Sequence, residues 1–349
     1  GFGRFYKAYA SSEGKVEIRA KDGTNVDTSK ITVSQAVSNS IAYSTHNSTP
    51  PSEVVVTSPS TQSTTYDTHS STPPSAVVVT PAAVGDGVID TNIISTAADG
   101  AYFVSTADID GDGDIDVLSA SYLDDTVAWY ENNGSGAFTE HIISTAVDAT
   151  YSVTTADVDG DGDMDVLSTS WDDDKITWYE NDGSESFTEH TITTAANGAT
   201  SVTTADVDGD GDMDVLSASF YDDKIAWYEN DGSEIFTAHT ITTAANAARS
   251  VTTADVDGDG DMDVLSASAN DDTIAWYEND GSENFTEHTV STGADYATSV
   301  TTADVDGDGD MDVLSASAVD DTIAWYQNDG SENFTEQTIS TTADGAYSV

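Results

Sequence analysis

Asp157-Val-Asp-Gly-Asp-Gly-Asp-Met-Asp-Val-Leu167 places five carboxylates within nine residues and then runs directly into an apolar pair. Neighbouring like charges cost about 1 kcal/mol per pair even in water, and several times more near protein. An ordered loop of this kind therefore needs cations. Hard divalent ions with oxygen ligands meet that need, and Ca²⁺ takes six to eight such oxygens, whereas Mg²⁺ prefers fewer protein ligands and more water. Side chains at positions 1, 3 and 5 of the stretch turn inward, as in the first half of an EF-hand loop, and glycine at position 6 permits the sharp bend. The EF-hand itself fails, because position 12 carries no Glu and no flanking helix is readable.

Working outward, the string Asp-x-Asp-Gly-Asp-Gly-Asp-x-Asp-Val-Leu begins at Asp108, Asp157, Asp206, Asp255 and Asp304, a constant step of 49 residues. Trp129, Trp178, Trp227, Trp276 and Trp325, each followed by Tyr, keep the same register, as do Phe138, Phe187, Phe236, Phe285 and Phe334. In the first copy Asp108, Asp110, Asp112 and Asp116 are assigned as side-chain ligands, and Asp114 as a backbone-carbonyl ligand. One period reads as four short strands and no helix; in the second copy these are about 152–156, 165–170, 176–180 and 187–194, rich in Val, Ile, Thr and aromatics. Asp182-Gly183 suits the tight turn between the last two. Four antiparallel strands on a period of about 40–50 residues are the content of a β-propeller blade. The fold class is all-β: a propeller-type array of 49-residue blades, with a β-solenoid as the other arrangement.

The loop, strand order and period resemble the FG-GAP or VCBS repeat of integrin α-subunit propellers and many secreted proteins. The resemblance covers residues 86–349 and implies one Ca²⁺ per repeat, five in this chain, in the loop joining the first two strands of each blade. Carried over residue by residue, the metal sites are Asp108, Asp110, Asp112, Asp114 and Asp116; Asp157, Asp159, Asp161, Asp163 and Asp165; Asp206, Asp208, Asp210, Asp212 and Asp214; Asp255, Asp257, Asp259, Asp261 and Asp263; and Asp304, Asp306, Asp308, Asp310 and Asp312. Literal Phe-Gly and Gly-Ala-Pro segments are missing, so the chain is closer to the VCBS-like branch. The family's rings usually have seven blades. Five copies, plus an outer-strand match at 89–96 and an inner-strand start at 345–349, do not close that way. The expectation is a longer natural array, with pairing of the open edges to another molecule as the other reading.

Charge follows the repeats. The formal net charge is −55, from 64 acidic and 9 basic residues, and residues 1–85 are balanced with six of each, so the later part carries the whole excess. Nucleic acid is excluded as a direct partner and an anionic membrane is disfavoured. No apolar stretch reaches the roughly 18–20 residues that would insert in a bilayer. Cysteine is absent, which removes disulfides and thiolate sites. The first residue is Gly1, so a processed or missing N-terminus is expected.

Three domains are drawn: a small β-rich segment at 1–42, a Ser/Thr/Pro-rich duplicated stalk or arm at 43–85, and the repeat domain at 86–349. The 23-residue duplication pairs Tyr43 to Thr57 with Tyr66 to Thr80; its composition suits an extended, O-glycosylated stalk, and its Val-Val-Val runs suit strands. Asn47, Asn133, Asn284 and Asn333 open N-glycosylation sequons.

Catalysis needs an asymmetric constellation, and nearly every polar residue here recurs symmetrically, so no enzyme is expected. The periodic His141, His190, His239 and His288 read as exposed residues or cross-strand partners rather than metal ligands. The Asp pairs from Asp124/Asp125 to Asp320/Asp321 read as acidic turns. One ring of each Trp-Tyr pair is expected to pack between blades while the other lines a surface. The function expected is that of an extracellular or cell-surface, calcium-stabilised structural or adhesive protein. It would contact other proteins or further copies of itself, for instance in a filament. A lectin-like propeller that binds glycans, or a non-catalytic module of a larger secreted enzyme, is the alternative.

Overall fold

Each 49-residue period forms one antiparallel sheet of four strands. In the second sheet these are Thr150–Ala156, Asp165–Ser170, Lys175–Asn181 and Phe187–Thr193, hydrogen-bonded in that order. The other four sheets repeat the same strands, beginning at Ala101, Ala199, Ala248 and Ala297. Antiparallel pairing within each period makes this a blade array; a solenoid would pair strands in parallel between periods. The computed structural model describes residues 93–349 and, nearer the N-terminus, the backbone of seven strands. It divides into two compact units, Gly1–Asn92 and Ile93–Val349.

Consecutive sheets share apolar cores, and the third strand shows how. Trp178 packs with Ala199, Val202 and Val215 of the following sheet. Tyr179 packs with Leu118, Trp129 and Val127 of the preceding one. Successive strand residues face opposite ways, and a middle sheet is covered on both faces, so Trp178 is 0% and Tyr179 1% exposed. This corrects the expectation that one ring of each pair would line a surface. Burying a large apolar side chain contributes about 1.5–3 kcal/mol, and the pattern recurs at every shared core.

Five sheets share four such cores, between the first and second, second and third, third and fourth, and fourth and fifth. The outer faces of the series show the difference. Phe103 and Val104 on the first sheet are 43% and 63% exposed, where Ser152 and Val153 of the second are 2% and 0%. Val305 beside the fifth sheet is likewise open, while Val158, Val207 and Val256 are buried. A side-chain link reinforces each core. The Asn181 Nδ2 donates to the Ile109 carbonyl of the preceding loop (3.0 Å), and Asn230, Asn279 and Asn328 do the same to Val158, Val207 and Val256. Beyond the fifth sheet, the Thr298 hydroxyl donates to the Ala346 carbonyl, as Thr200 does to Ala248, both at 2.9 Å. Residues 345–349 thus take the place of a next first strand, although no strand is formed there. Of the expected outer strand at 89–96, residues 89–92 lie outside the described residues and 93–96 form no strand.

The Asp pairs close the turns between second and third strands. Asp174 sits at φ 57°, and its Oδ1 accepts the Gly198 N–H at 2.9 Å, tying the turn to the connection that enters the next sheet. Asp125, Asp223, Asp272 and Asp321 repeat that bond.

In the N-terminal unit, Tyr6–Ala10 pairs antiparallel with Val16–Ala20. Lys30–Ser34, Glu53–Ser58 and Ala76–Pro81 form a parallel sheet, and Ser40–Thr45 pairs in parallel with Ser63–Thr68. The register Lys30 to Glu53 to Ala76 advances by the 23-residue duplication, and both Val-Val-Val runs lie in strands.

Candidate metal loops

The loop between first and second strands is built by its own carboxylates. In the second copy, the Asp157 Oδ2 accepts the Gly162 N–H at 3.1 Å, closing a ring over five residues. Asp159 Oδ1 accepts from the Asp161 N–H at 3.1 Å, and Asp161 Oδ1 from the Asp163 N–H at 2.9 Å. Gly160 and Gly162 adopt φ 76° and 99°, which side-chain-bearing residues resist. The same pattern holds in the other four copies, with Asp108, Asp206, Asp255 and Asp304 in the Asp157 role.

These bonds bring oxygen ligands together. One carboxylate oxygen from each of Asp108, Asp110 and Asp116 lies within 4.8 Å of the others, and so do oxygens of Asp157, Asp159 and Asp165. In the later copies the groups are Asp206, Asp208 and Asp210; Asp255, Asp257 and Asp259; and Asp304, Asp306 and Asp308. Asp108 Oδ1 and Asp157 Oδ1 are buried and accept no hydrogen bond. A carboxylate oxygen in that state costs free energy unless a cation meets it. Burial holds the Asp159, Asp208 and Asp257 carboxyls above their ordinary range, and the charges on Asp161, Asp210 and Asp259 add to it. The donor set is all oxygen and anionic, as a hard divalent ion requires.

The last two acids of each loop have distinct places. Asp165 is fully buried, and its two oxygens accept the Val158 and Asn181 N–H groups at 2.9 and 2.8 Å. It staples the start of the loop to the end of the third strand. Burial pushes Asp165, Asp214 and Asp263 up to about 6. Asp163, expected to give its backbone carbonyl, turns its side chain onto Gly183 in the turn between third and fourth strands. A Cβ on Gly183 would stand 2.3 Å from Asp163 Oδ2. Asp114, Asp212, Asp261 and Asp310 approach Gly134, Gly232, Gly281 and Gly330 in the same way.

The periodic histidines stand outside the loops. His190 lies opposite Trp178 across the strands, stacks on it with centroids 4.5 Å apart, and sits 2.8 Å from Glu180. In the fifth sheet both members of that pair change together, to Gln337 and Gln327.

With the geometry in place, comparison with known proteins gives a consistent result. A family model described as an FG-GAP-like repeat matches residues 108–168, 161–217, 206–266, 255–315 and 305–349. No curated protein matches the chain in sequence. Among solved structures, a protein from Lactobacillus plantarum aligns with a TM-score of 0.55 and 13% identity, over 71% of this chain and 73% of that one. An Agrocybe aegerita lectin, solved for its recognition of non-reducing terminal N-acetylglucosamine, aligns with a TM-score of 0.52 and 20% identity, over 70% and 67%. At these identities the likeness is one of fold.

Proposed function

The chain belongs to the FG-GAP-like repeat family, and on that footing we propose that its repeat region is a calcium-stabilised extracellular module. It makes adhesive or structural contacts with other proteins, with matrix or with further copies of itself, and it performs no catalysis. The observation that carries the reading is the five-fold recurrence of a carboxylate cluster in a hydrogen-bonded loop, with buried, unpartnered oxygens in two copies.

The residues that fit the ion are the first two acids of each loop, joined by Asp116 and Asp165 in the first two copies and by Asp210, Asp259 and Asp308 in the later ones. When bound, the ion supplies positive charge that offsets carboxylate repulsion. Extracellular modules of this kind bind Ca²⁺ with dissociation constants of about 10⁻⁴–10⁻³ M, so millimolar ion stabilises each site by about 0.4–1.4 kcal/mol. Cytosolic ion concentrations would leave them empty, which is what favours an extracellular setting. Among the described residues no helix is long and apolar enough to cross a membrane.

The test is calcium titration of the chelator-treated protein by calorimetry, followed by thermal melting and a cell- or matrix-adhesion assay with and without EGTA. Saturable binding near five ions per chain, with a matching rise in Tm and in adhesion, is expected. A Tm indifferent to EGTA removes the calcium reading, and calcium-independent adhesion removes its link to contact formation.

A further inference from the structure

The last three copies are nearly identical in sequence, which makes departures from the repeat informative. Several of the bulkiest collect at one place. The second residue of each first strand, read through the copies and into the C-terminal segment, is Tyr102, Tyr151, Thr200, Arg249, Thr298 and Tyr347. The residue after each second strand is Tyr122, Trp171, Phe220, Ala269 and Ala318. The start of a first strand and the end of a second strand lie together in an antiparallel sheet, at the end opposite the aspartate loops. First strands of all five sheets line a common cavity of about 370 Å³ there.

The aromatic side chains form a connected wall. Tyr102 and Tyr151 have ring centroids 4.0 Å apart and share a hydroxyl contact, Tyr151 stacks on Trp171 at 5.3 Å, and Trp171 meets Phe220 at 5.2 Å and Tyr221 at 5.1 Å. Tyr102 and Tyr221 remain 42% and 59% exposed, so the wall is open to solvent. Hydroxyl-bearing Ser201, Ser250 and Ser299 line the cavity beside it.

Arg249 stands in this wall. Its Nη1 and Nη2 donate to the Tyr151 and Tyr296 hydroxyls, each at 2.6 Å, and its guanidinium lies 4.7 Å above the Phe220 ring. Its Nε is buried without a partner. Of the three bases in residues 86–349, Lys175 and Lys224 pair with Glu189 and Asp222 at 2.6 and 2.9 Å. Arg249 has no carboxylate within ion-pair distance among the described residues, in a chain with 64 acids. A half-buried cation left without a counter-charge is costly. Guanidinium pairs well with a planar carboxylate, and the exposed aromatic surface of Tyr102 and Tyr221, beside hydroxyls, suits a pyranose ring, which is apolar on its face and polar at its rim.

We infer that this mouth is a single binding site for an acidic sugar, a pyranose carrying a carboxylate, with Arg249 taking the carboxylate and the Tyr102, Tyr151 and Trp171 wall taking the ring. The site occurs once per chain, uses none of the aspartate loops, and stands whether or not those loops hold calcium.

The experiment is calorimetry on the full chain at millimolar calcium, with a β-1,4-linked glucuronate tetramer and with cellotetraose, which differs from it in lacking the C6 carboxylates. Tryptophan fluorescence is followed in parallel, and the response missing from Trp171→Ala is assigned to Trp171, since Trp325 is also partly exposed. Expected are one saturable site for the glucuronate tetramer, binding at least about tenfold tighter than cellotetraose, and a loss of at least about tenfold in Arg249→Gln. Trp171→Ala should weaken binding as well, with circular dichroism and Tm establishing that both variants fold. Should Arg249→Gln misfold, Tyr296→Phe keeps the guanidinium and is expected to bind within a few-fold of wild type. Absence of saturable binding by wild type, equal affinity for the neutral tetramer, unchanged affinity in a folded Arg249→Gln, or five sites per chain would each overturn the inference.

Discussion

The two ends of the sheets follow opposite rules. At the loop end, every copy carries the same acids and closes the same five-residue ring, through Asp157, Asp206, Asp255 and Asp304 in the last four copies. At the other end the scaffold repeats and the side chains do not: Tyr, Thr and Arg occupy one register position in different copies. Five-fold repetition suits a stabilising element, to which every copy contributes. A singular arrangement suits recognition, where one ligand must be oriented. The difference separates what holds the molecule together from what it can select.

The largest expected effect lies at the loop end. Full chelation should lower stability by about 2–7 kcal/mol over five sites, read as a fall in Tm of about 5–25 °C. Arg249→Gln and Trp171→Ala should show the same fall as wild type; a smaller fall in either would mean that the two ends are coupled and the comparison breaks.

Acidification sharpens it next. The buried Asp165, Asp214 and Asp263 carboxyls titrate near 6, above their unfolded value. The folded state therefore binds protons more readily than the unfolded one, and the metal-free protein should gain stability as the pH falls from 7 toward 4. Calcium affinity should fall over the same interval as protons take the ligand oxygens. Melting curves at several pH values, with and without calcium, should therefore converge. Curves that keep a constant separation would detach the ligand carboxyls from ion binding.

Single-loop changes come after. Asp206→Ala should remove one calcium from the measured stoichiometry and about 1 kcal/mol or somewhat less of stability in calcium, leaving the other four loops intact. Gly232→Ala forces a Cβ to within 2.3 Å of Asp212 at φ 70°, and about 1 kcal/mol of destabilisation is expected in urea titrations, with weaker calcium binding at that loop. The smallest effect on stability belongs to the mouth, where replacing the exposed Tyr221 in Tyr221→Ala should change stability by about 0.5 kcal/mol or less, leaving calcium stoichiometry unchanged.

How much of this was legible in the sequence follows the same division. The loops, the strand order and the 49-residue sheets could be read directly, because Asp-Gly turns and alternating strands are local chemistry. The burial of both Trp178 and Tyr179 was not, since it depends on a neighbouring sheet covering each face, a fact of stacking between periods. Nor was the buried Asp165 bridge foreseen, because its partners Val158 and Asn181 are separated along the chain and meet only when the third strand closes on the loop. The mouth escaped altogether. Tyr102, Tyr151, Arg249 and Tyr296 are far apart in sequence, and each resembles a chance departure from the repeat. Subtracting the shared register from the copies is the signal that would have found them.

The Asn181, Asn230, Asn279 and Asn328 amides reach back to a carbonyl in the loop of the sheet before. A loop stiffened by its own ion therefore offers its neighbour a better-fixed acceptor, and the benefit passes along the series sheet by sheet. Calcium uptake by such an assembly should be cooperative, with a Hill coefficient above unity that collapses toward one when these asparagines are replaced by alanine.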